Sequence, residues 1–323
     1  MKELSIVVPC FNEEAVLIHT NEILLGLLQN LITTKKVAQS SCIYYVDDGS
    51  ADGTWNFIQA CAQQSESVAG IKLSGNCGHQ NALLAGLFNV PGDLVVSIDA
   101  DLQDDIAAIE AMVDLSAQGA DIVYGVRDDR TVDTFFKQYT AKIFYRLLGL
   151  FGGKIVQNHA DFRLMSRRAI DGLKQFGEVN LFLRGIVPLL GFKSSIVYYK
   201  RGMRLAGESK YPFRKMLSFA WEGITSISIA PLRFITATGA VIFTLTMLMS
   251  LFVVGVRLFT DRAIAGWAST VLPIYFLGGI QLLAIGVLGE YLGKIYREVK
   301  ARPRFLIEAW CGKLDLNDLN RTA

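Results

Sequence analysis

Two carboxylates and an amide follow one apolar run closely enough to bind a single ligand. Residues 95–98 have the composition of a short buried strand, and Asp99, Asp101 and Gln103 come directly after it. Alternate residues of an extended chain point to the same side, so Asp99 and Asp101 are expected to project together. Oxygen donors of this kind suit Mg²⁺ or Mn²⁺, which bind substrate phosphates as well. The sequence therefore predicts a divalent-metal site here, with a solvated acidic turn as the alternative.

Polar residues also follow other predicted strands. Asn12 and Glu13 come after the first strand, and Asp47 and Asp48 end the second. Their alternative roles are a helix start for the first pair and an Asp-Gly turn for the second. Arg127 ends a later strand, and a guanidinium suits bidentate binding of phosphate. In open α/β sheets ligands bind at the carboxyl ends of the strands, so these residues are candidates for one site.

The elements that must position these residues alternate along the first 210 residues. Strands are predicted at 4–9, 42–46, 68–73, 95–98, 122–126, 161–165 and 196–199. Helices are predicted at 11–31, 53–64, 80–89, 106–117, from 166 onward and at 181–190. This alternation predicts an α/β fold with a mostly parallel, doubly wound sheet.

Two long uncharged stretches follow, at 234–256 and 263–289. Each exceeds the roughly 20 residues that cross a bilayer as a helix. The expected domains are a catalytic domain at 1–210, a juxtamembrane amphipathic helix at 211–231, membrane helices at 232–258 and 266–293, and a C-terminal tail at 294–323.

Charge and cysteine usage indicate where the parts lie. Lysine and arginine are concentrated before the first span and after the second, which places the large domain and both termini in the cytosol and the connector outside. The five scattered cysteines fit free thiols in a reducing cytosol. No signal peptide is recognised at the N-terminus, and a net charge of +2 without a basic run gives no sign of nucleic-acid binding. Glycines along the second span permit close helix packing, so a homo-oligomer is expected, with a tetramer as one compatible state.

Several motifs together resemble those of inverting family 2 glycosyltransferases, and most closely the polyprenyl-phosphate branch that includes bactoprenol glucosyltransferases and dolichol-phosphate mannose synthases. The general motifs are VVPCFNEE at 7–14, DDGSADGT at 47–54 and DADLQ at 99–103. The motifs closer to the branch are DFRLMSR at 161–167, EGITS at 222–226, PLR at 231–233, FLGGIQ at 276–281, GVLGEYLG at 286–293 and KARP at 300–303. The similarity extends from about residue 4 to about residue 307.

The resemblance implies a GT-A fold and a reaction. A nucleotide sugar, UDP-glucose above all, would give its sugar to undecaprenyl phosphate on the cytosolic leaflet of the bacterial plasma membrane. The product would serve the modification of O-antigen or another cell-envelope glycan. A lipid-anchored acceptor also gives a reason for membrane helices on a cytosolic enzyme.

The resemblance also implies roles for residues. The nucleotide sugar would be held by Pro9, Asn12, Glu13, Asp47, Asp48, Asp99 and Gln103. Asp101 and Gln103 would be metal ligands, with Asp99 close by as a further ligand, acting through water or on the ribose. Arg204, Ser209 and Lys210 would form a loop that closes over the donor diphosphate, and a basic patch against anionic lipid is the alternative.

The acceptor phosphate would meet Arg127, Lys137 and Arg163. Asp161 occupies the position at which members of this branch have their candidate general base. A phosphate monoester has its second pKa near 6, so the acceptor is already largely ionised at neutral pH, and Asp161 could instead position the acceptor or the sugar.

One difference from the motifs of these relatives leaves the identity of the sugar donor undecided. Near relatives often have Arg-Asn-Phe-Gly-Lys where this chain has GNCGH at 75–79. GDP-mannose, UDP-aminoarabinose and a UDP-N-acetylhexosamine therefore stay as alternative donors. A processive synthase is disfavoured because the chain has two predicted spans and no Gln-X-X-Arg-Trp motif. A non-catalytic scaffold is disfavoured by the intact aspartates at 99 and 101.

Overall fold

The computed structural model describes residues 1–127, 159–178, 183–199 and 267–312, together with 232, 235–242, 244–245 and 247–248. The chain divides into two compact units, Met1–Leu217 with Pro303–Ala323 and Ser218–Arg302. The first unit contains the sheet and the candidate site, and the second contains the long helix near the C-terminus.

The first unit is built on an eight-stranded mixed sheet with the order β7-β5-β6-β4-β1-β2-β3-β8. The strands are β1 Leu4–Cys10, β2 Cys42–Asp47, β3 Val68–Leu73, β4 Leu94–Ser97, β5 Ile122–Arg127, β6 His159–Ser166, β7 Ser194–Tyr199 and β8 Ile307–Cys311. Strands β1, β2, β3 and β4 pair in parallel, as do β5 and β7. Strand β6 runs antiparallel to both β4 and β5, and β8 runs antiparallel to β3. The α/β class and the mostly parallel sheet are confirmed.

Helices cover both faces of this sheet. They are α1 Glu14–Thr33, α2 Thr54–Gln64, α3 His79–Asn89, α4 Ala108–Ala117, α5 Arg167–Lys174 and α6 Leu183–Ile186, followed by a 3₁₀ turn at Val187–Leu190. Successive residues of β1 face opposite sides, so Ile6 and Val8 belong to one buried cluster and Val7 belongs to the other. The first cluster includes apolar side chains of α1, α2 and α4, and the second includes those of α3 and α5.

Strand β8 differs from the expected plain tail at 294–323. Residues 307–311 pair with β3 in the register Gly70↔Cys311, Ile71↔Trp310 and Lys72↔Ala309. The long helix Trp267–Lys300 also continues beyond the expected end at 293, because no helix-breaking residue occurs between 294 and 300. No local pattern marks this strand, since its partner β3 lies more than 200 residues earlier in the chain.

Two helices of the described residues are long and apolar enough to cross a membrane, Glu14–Thr33 and Phe276–Lys300. The first is a helix of the α/β domain, because Leu17, Leu24, Leu28 and Leu31 are buried in the core. The second exposes large apolar side chains, among them Phe276, Leu282, Ile285, Leu288 and Leu292. An exposed apolar surface of this extent suits contact with lipid. Of the first predicted span, at 232–258, the structure describes residues 232, 235–242, 244–245 and 247–248, and these are helical. The predicted juxtamembrane helix at 211–231 lies outside the described residues.

Candidate active site

The pairing of β4 with β6 brings Asp161 beside the metal motif. Ser97 lies opposite Arg163 in the antiparallel register, and the Ser97 hydroxyl donates to the carbonyl oxygen of Asp161. Asp161 therefore lies across from the residues that follow β4, where Asp99 and Asp101 are found. These groups are about 60 residues apart in the sequence, and the pairing of the two strands brings them close together.

Asp161 is held by two guanidinium groups, one on each carboxylate oxygen. Arg163 Nη2 donates to Oδ1 at 2.6 Å, and Arg184 Nη2 donates to Oδ2 at 3.1 Å. Burial alone would raise the pKa of the Asp161 carboxyl, but Arg184 and Arg163 overcome that effect and hold the pKa well below its usual range. Asp161 is therefore an ionised carboxylate at neutral pH and a weak base.

The two arginines differ in exposure. The Arg163 side chain is 1% exposed, whereas 36% of the Arg184 side chain is exposed. Arg163 was expected to contact the acceptor phosphate, but its burial beneath Asp161 makes it an anchor for that carboxylate instead. Arg184, from the short helix α6, is the guanidinium of this group that a ligand can reach.

His79 lies between Asp99 and Asp161. Its Nε2 atom is 3.4 Å from Asp99 Oδ1 and 3.8 Å from Asp161 Oδ2, and 46% of its side chain is exposed. His79 is the first residue of α3, and it follows Gly78, which has a φ of 88° that favours glycine. The imidazole thus stands at the open edge of the sheet between two carboxylates.

Asp48 fixes the loop that carries His79. Its Oδ1 accepts a hydrogen bond from the Cys77 amide at 2.7 Å, and its Oδ2 accepts one from the Gly78 amide at 2.9 Å. The residue is buried, and burial raises the pKa of its carboxyl although these amides oppose the shift. Each Asp48 oxygen thus accepts an amide hydrogen bond from this loop, so Asp48 positions the loop in the structure. Its expected contact with the nucleotide stays a prediction, because a carboxylate oxygen can accept a second hydrogen bond.

Asp99, Asp101 and Gln103 adopt the turn after β4. Gln103 Nε2 donates to Asp101 Oδ2 at 2.7 Å, so the amide orients the Asp101 carboxylate. Burial raises the pKa of Asp99 to about 6, with further upward contributions from Asp104, Asp161 and Asp101, although 41% of its side chain is exposed. This concentration of negative charge is what a bound cation relieves.

Among the described residues there is no group of three or more His, Cys, Asp or Glu that could hold a metal ion. A Mg²⁺ or Mn²⁺ ion that binds a nucleotide usually takes only one or two carboxylates from the protein and completes its shell with phosphates and water. The Asp99 and Asp101 carboxylates fit that arrangement.

Arg127 belongs to a second ion pair at the same edge. Its Nη2 donates to Asp104 Oδ1 at 3.0 Å, and its Nε lies 3.1 Å from the Tyr199 hydroxyl, which also donates to Asp104. Burial would lower the pKa of Arg127, but Asp104 and Tyr199 raise it above its ordinary value, so it remains a cation. Tyr199 packs edge-on against Phe162, which connects this group to β6.

The ends of β1 and β2 form the remaining part of the edge. Asn12 has a left-handed φ of 55°, and its side-chain oxygen accepts from the Ala51 amide at 2.9 Å. The Glu13 amide donates to Thr54 Oγ1 at 3.0 Å. These contacts fasten the two loops together. Pro9 is buried in β1 beside Val46.

Asp47 is fully buried at the end of β2. Its Oδ1 accepts from the Ser50 amide at 3.1 Å, and its Oδ2 has no hydrogen-bond partner among the residues that the structure describes. A buried carboxylate oxygen without a partner is costly. Asp47 is 0% exposed, so its expected contact with the nucleotide stays a prediction.

The structure therefore brings together most of the expected site residues and adds four others. His79, Asp104, Arg184 and Tyr199 were not expected as site residues. An Arg or Tyr at a strand or helix end carries no pattern that distinguishes it from a surface residue, although the departure at 75–79 pointed to His79. Lys137, Arg204, Ser209 and Lys210 lie outside the described residues.

Comparison with known proteins identifies the family. Residues 5–173 match Glycosyl transferase family 2. The chain is 49% identical over 324 aligned residues to the uncharacterized glycosyltransferase YkoT of Bacillus subtilis, covering 98% of this chain and 95% of that protein. It is 38% identical to a prophage bactoprenol glucosyl transferase homolog of Escherichia coli (95% and 98% covered) and 38% identical to the bactoprenol glucosyl transferase of Shigella phage SfX (95% and 99% covered). These matches establish that the chain is a glycosyltransferase of family 2.

Proposed function

We propose that this enzyme transfers glucose from UDP-glucose to undecaprenyl phosphate, with inversion at the anomeric carbon. The observation that carries the proposal is the arrangement around His79. On one side of it lies Asp99, a carboxylate proposed to bind the metal, and on the other lies Asp161, which two arginines hold in place. Relatives named as bactoprenol glucosyl transferases match the chain over 95% of its length, which supports a polyprenyl phosphate acceptor and a glucosyl donor.

The donor would bind over the ends of β1, β2 and β4. Asp101 and Asp99 would hold a Mg²⁺ or Mn²⁺ ion. Gln103, whose amide nitrogen orients Asp101, stays a predicted further ligand of that ion. When bound, that ion supplies charge neutralisation for the departing diphosphate. Asp47 stays a predicted contact of the nucleoside, and Asn12 and Glu13 would shape the loop beside it. Arg204, Ser209 and Lys210 stay predicted contacts of the diphosphate.

The acceptor phosphate would bind on the other side, near Arg184 and Arg127. Both guanidinium groups are partly exposed and remain cations. An oxygen of the acceptor phosphate would attack C1 of glucose as the bond from C1 to the β-phosphate oxygen breaks, and UDP would leave with that electron pair. Asp161 would position the Arg184 guanidinium for this attack without taking a proton, because the acceptor is already ionised. Lys137 stays a predicted further contact.

The acceptor's lipid chain accounts for the apolar helix near the C-terminus. We propose that the chain lies in the bacterial inner membrane with two spans and with the catalytic domain and both termini in the cytosol. The exposed apolar side chains of Phe276–Lys300 support the second span, and the distribution of lysine and arginine supports the orientation.

A panel of labelled nucleotide sugars tests the proposal. The purified enzyme in detergent would receive undecaprenyl phosphate and one donor at a time: UDP-glucose, GDP-mannose, UDP-N-acetylglucosamine or UDP-aminoarabinose. We expect label in the lipid extract chiefly from UDP-glucose, loss of that label with a chelator, and recovery with Mg²⁺ or Mn²⁺. The variant Asp101→Ala should stay folded and inactive. If the enzyme preferred another donor, the sugar of that donor would take the place of glucose in the proposed reaction. Full activity without any divalent ion would overturn the metal assignment.

A further inference from the structure

His79 stands where the transferred sugar must pass. Its Nε2 atom is 3.4 Å from Asp99, on the side of the proposed donor diphosphate, and 3.8 Å from Asp161, on the side of the proposed acceptor phosphate. In a single displacement the hexose lies between the leaving diphosphate and the attacking phosphate. A side chain that approaches the carboxylates of both sides therefore lies beside the hexose.

From this geometry we infer that His79 is a sugar-contacting residue whose Nε2 atom donates a hydrogen bond to a hydroxyl of the bound hexose and so contributes to the choice of donor. The inference rests on the proposed function, because the two sides of the site are assigned by it.

At these distances, Nε2 can still form a hydrogen bond with a ligand. Neither the 3.4 Å nor the 3.8 Å separation is a short hydrogen bond, and nearly half of the side chain is exposed. A hydroxyl that enters between Asp99 and His79 can donate to the carboxylate and accept from the imidazole N–H. Sugar recognition in proteins is built from such donor and acceptor pairs, and a missing partner for a buried hydroxyl weakens binding.

The backbone around His79 is held in place by the neighbouring loop. A residue that distinguishes one substrate from another needs such a defined position. Asp48 accepts from the amides of Cys77 and Gly78, the two residues before it. Gly49 approaches the same loop so closely that an added Cβ would lie 2.6 Å from the Gly75 carbonyl carbon. His79 is thus presented by a loop that is tied to β2, and Asp48 is a positioning residue for it.

The test compares binding of UDP with binding of the UDP-sugar that wild type transfers best, by calorimetry on the full-length protein in detergent with Mg²⁺. We expect His79→Ala to weaken binding of the UDP-sugar about 10-fold and to change binding of UDP less than 2-fold. His79→Gln, whose amide nitrogen can take the place of Nε2, should recover most of the loss. His19→Gln, at an exposed position of α1, is the matched control and should change neither ligand.

Asp48→Asn gives a second arm. It should weaken binding of the UDP-sugar in wild type and cause no further loss in His79→Ala, because it acts through that side chain. Equal weakening of UDP and UDP-sugar by His79→Ala, or no weakening of either, would overturn the inference. Since the comparison uses whichever sugar wild type transfers, a donor other than glucose would contradict the proposed function and leave this test intact.

Discussion

Arg184 donates to the Asp161 oxygen that Arg163 does not contact, so one carboxylate joins a buried arginine to a partly exposed one. The Nη2 atoms lie 3.1 Å and 2.6 Å from Oδ2 and Oδ1, respectively. Arg163 cannot be reached by a ligand, because only 1% of its side chain is exposed. The carboxylate therefore holds Arg184 in place at the edge where the acceptor phosphate is proposed to bind.

This relationship predicts that Arg184 contributes to acceptor binding. Arg184→Ala should raise the KM for undecaprenyl phosphate by roughly 10- to 100-fold and leave the KM for the nucleotide sugar within about 2-fold, because a charge-assisted bond to phosphate is lost. Arg184→Lys should recover only part of the activity, since lysine cannot bind in a bidentate manner. Steady-state kinetics with each substrate varied in turn would measure both constants.

Arg168→Ala is the matched control for that variant. Its side chain is exposed and pairs with Asp121, away from the site. An equal increase of both KM values in Arg184→Ala, or an unchanged acceptor KM, would contradict the assignment.

Asp161→Asn should lower kcat by roughly 100-fold at every pH between 6 and 9. The pKa of Asp161 lies well below its usual range, so wild type gains no activity from its titration in this interval. A variant that has lost only a positioning group should not recover when the acceptor becomes fully ionised above its second pKa near 6. Rates of wild type and variant across this pH range provide the measurement, and a return of the variant toward the wild-type rate at high pH would favour the role of general base.

The same pKa shift has a consequence for stability. The folded-state pKa of Asp161 is depressed, so the ion group stabilises the folded protein above the unfolded pKa of about 3.9 and loses that contribution as the pH falls through the folded value. Asp161→Ala leaves Arg163 buried without its carboxylate, which costs about 3–5 kcal/mol. A melting temperature of Asp161→Ala equal to that of wild type at pH 7 would contradict this account.

The sequence alone was sufficient for the local elements and for the position of two carboxylates directly after β4. Short apolar runs such as 42–46 and 68–73 became parallel strands, and Asp99 and Asp101 follow β4 as their spacing indicated. These features depend on neighbouring residues, which a sequence displays directly.

Features that depend on distant partners could not be predicted in the same way. The burial of Arg163 follows from the pairing of β6 between β4 and β5, and the use of both Asp48 oxygens follows from the path of the loop before α3. The exposed Arg184 reaches Asp161 from a helix of only four residues. Each of these contacts joins residues that no local pattern connects.

Strand β8 predicts that the segment after the long helix is part of the catalytic domain. Truncation after Arg302 removes the strand that pairs with β3 and exposes the backbone edge of β3, so the melting temperature should fall by at least about 5 °C. The Ser74 amide would also lose its contact with the Leu306 carbonyl, next to the loop of His79. Truncation after Gly312 keeps β8 and serves as the control. Equal melting temperatures for the two truncated proteins would contradict this role of the strand.

The charge distribution around the two spans predicts the topology. A single cysteine introduced as Ala265→Cys, with the five native cysteines replaced, should react with a membrane-impermeant reagent in intact cells, because residue 265 lies in the expected outer connector. A cysteine introduced near the N-terminus should react only after the cells are opened. The reverse pattern would place the catalytic domain on the outer side and contradict the orientation.

The structure of the lipid product tests the central claim most directly. Wild-type enzyme would be given α-linked UDP-glucose and undecaprenyl phosphate, and the purified lipid would be measured by mass spectrometry and by the proton coupling at the anomeric carbon. The account predicts one hexose on one phosphate, joined by a β-linkage, because a single in-line displacement inverts C1. An α-linked product, or sugar attached to anything other than the undecaprenyl phosphate oxygen, would contradict it.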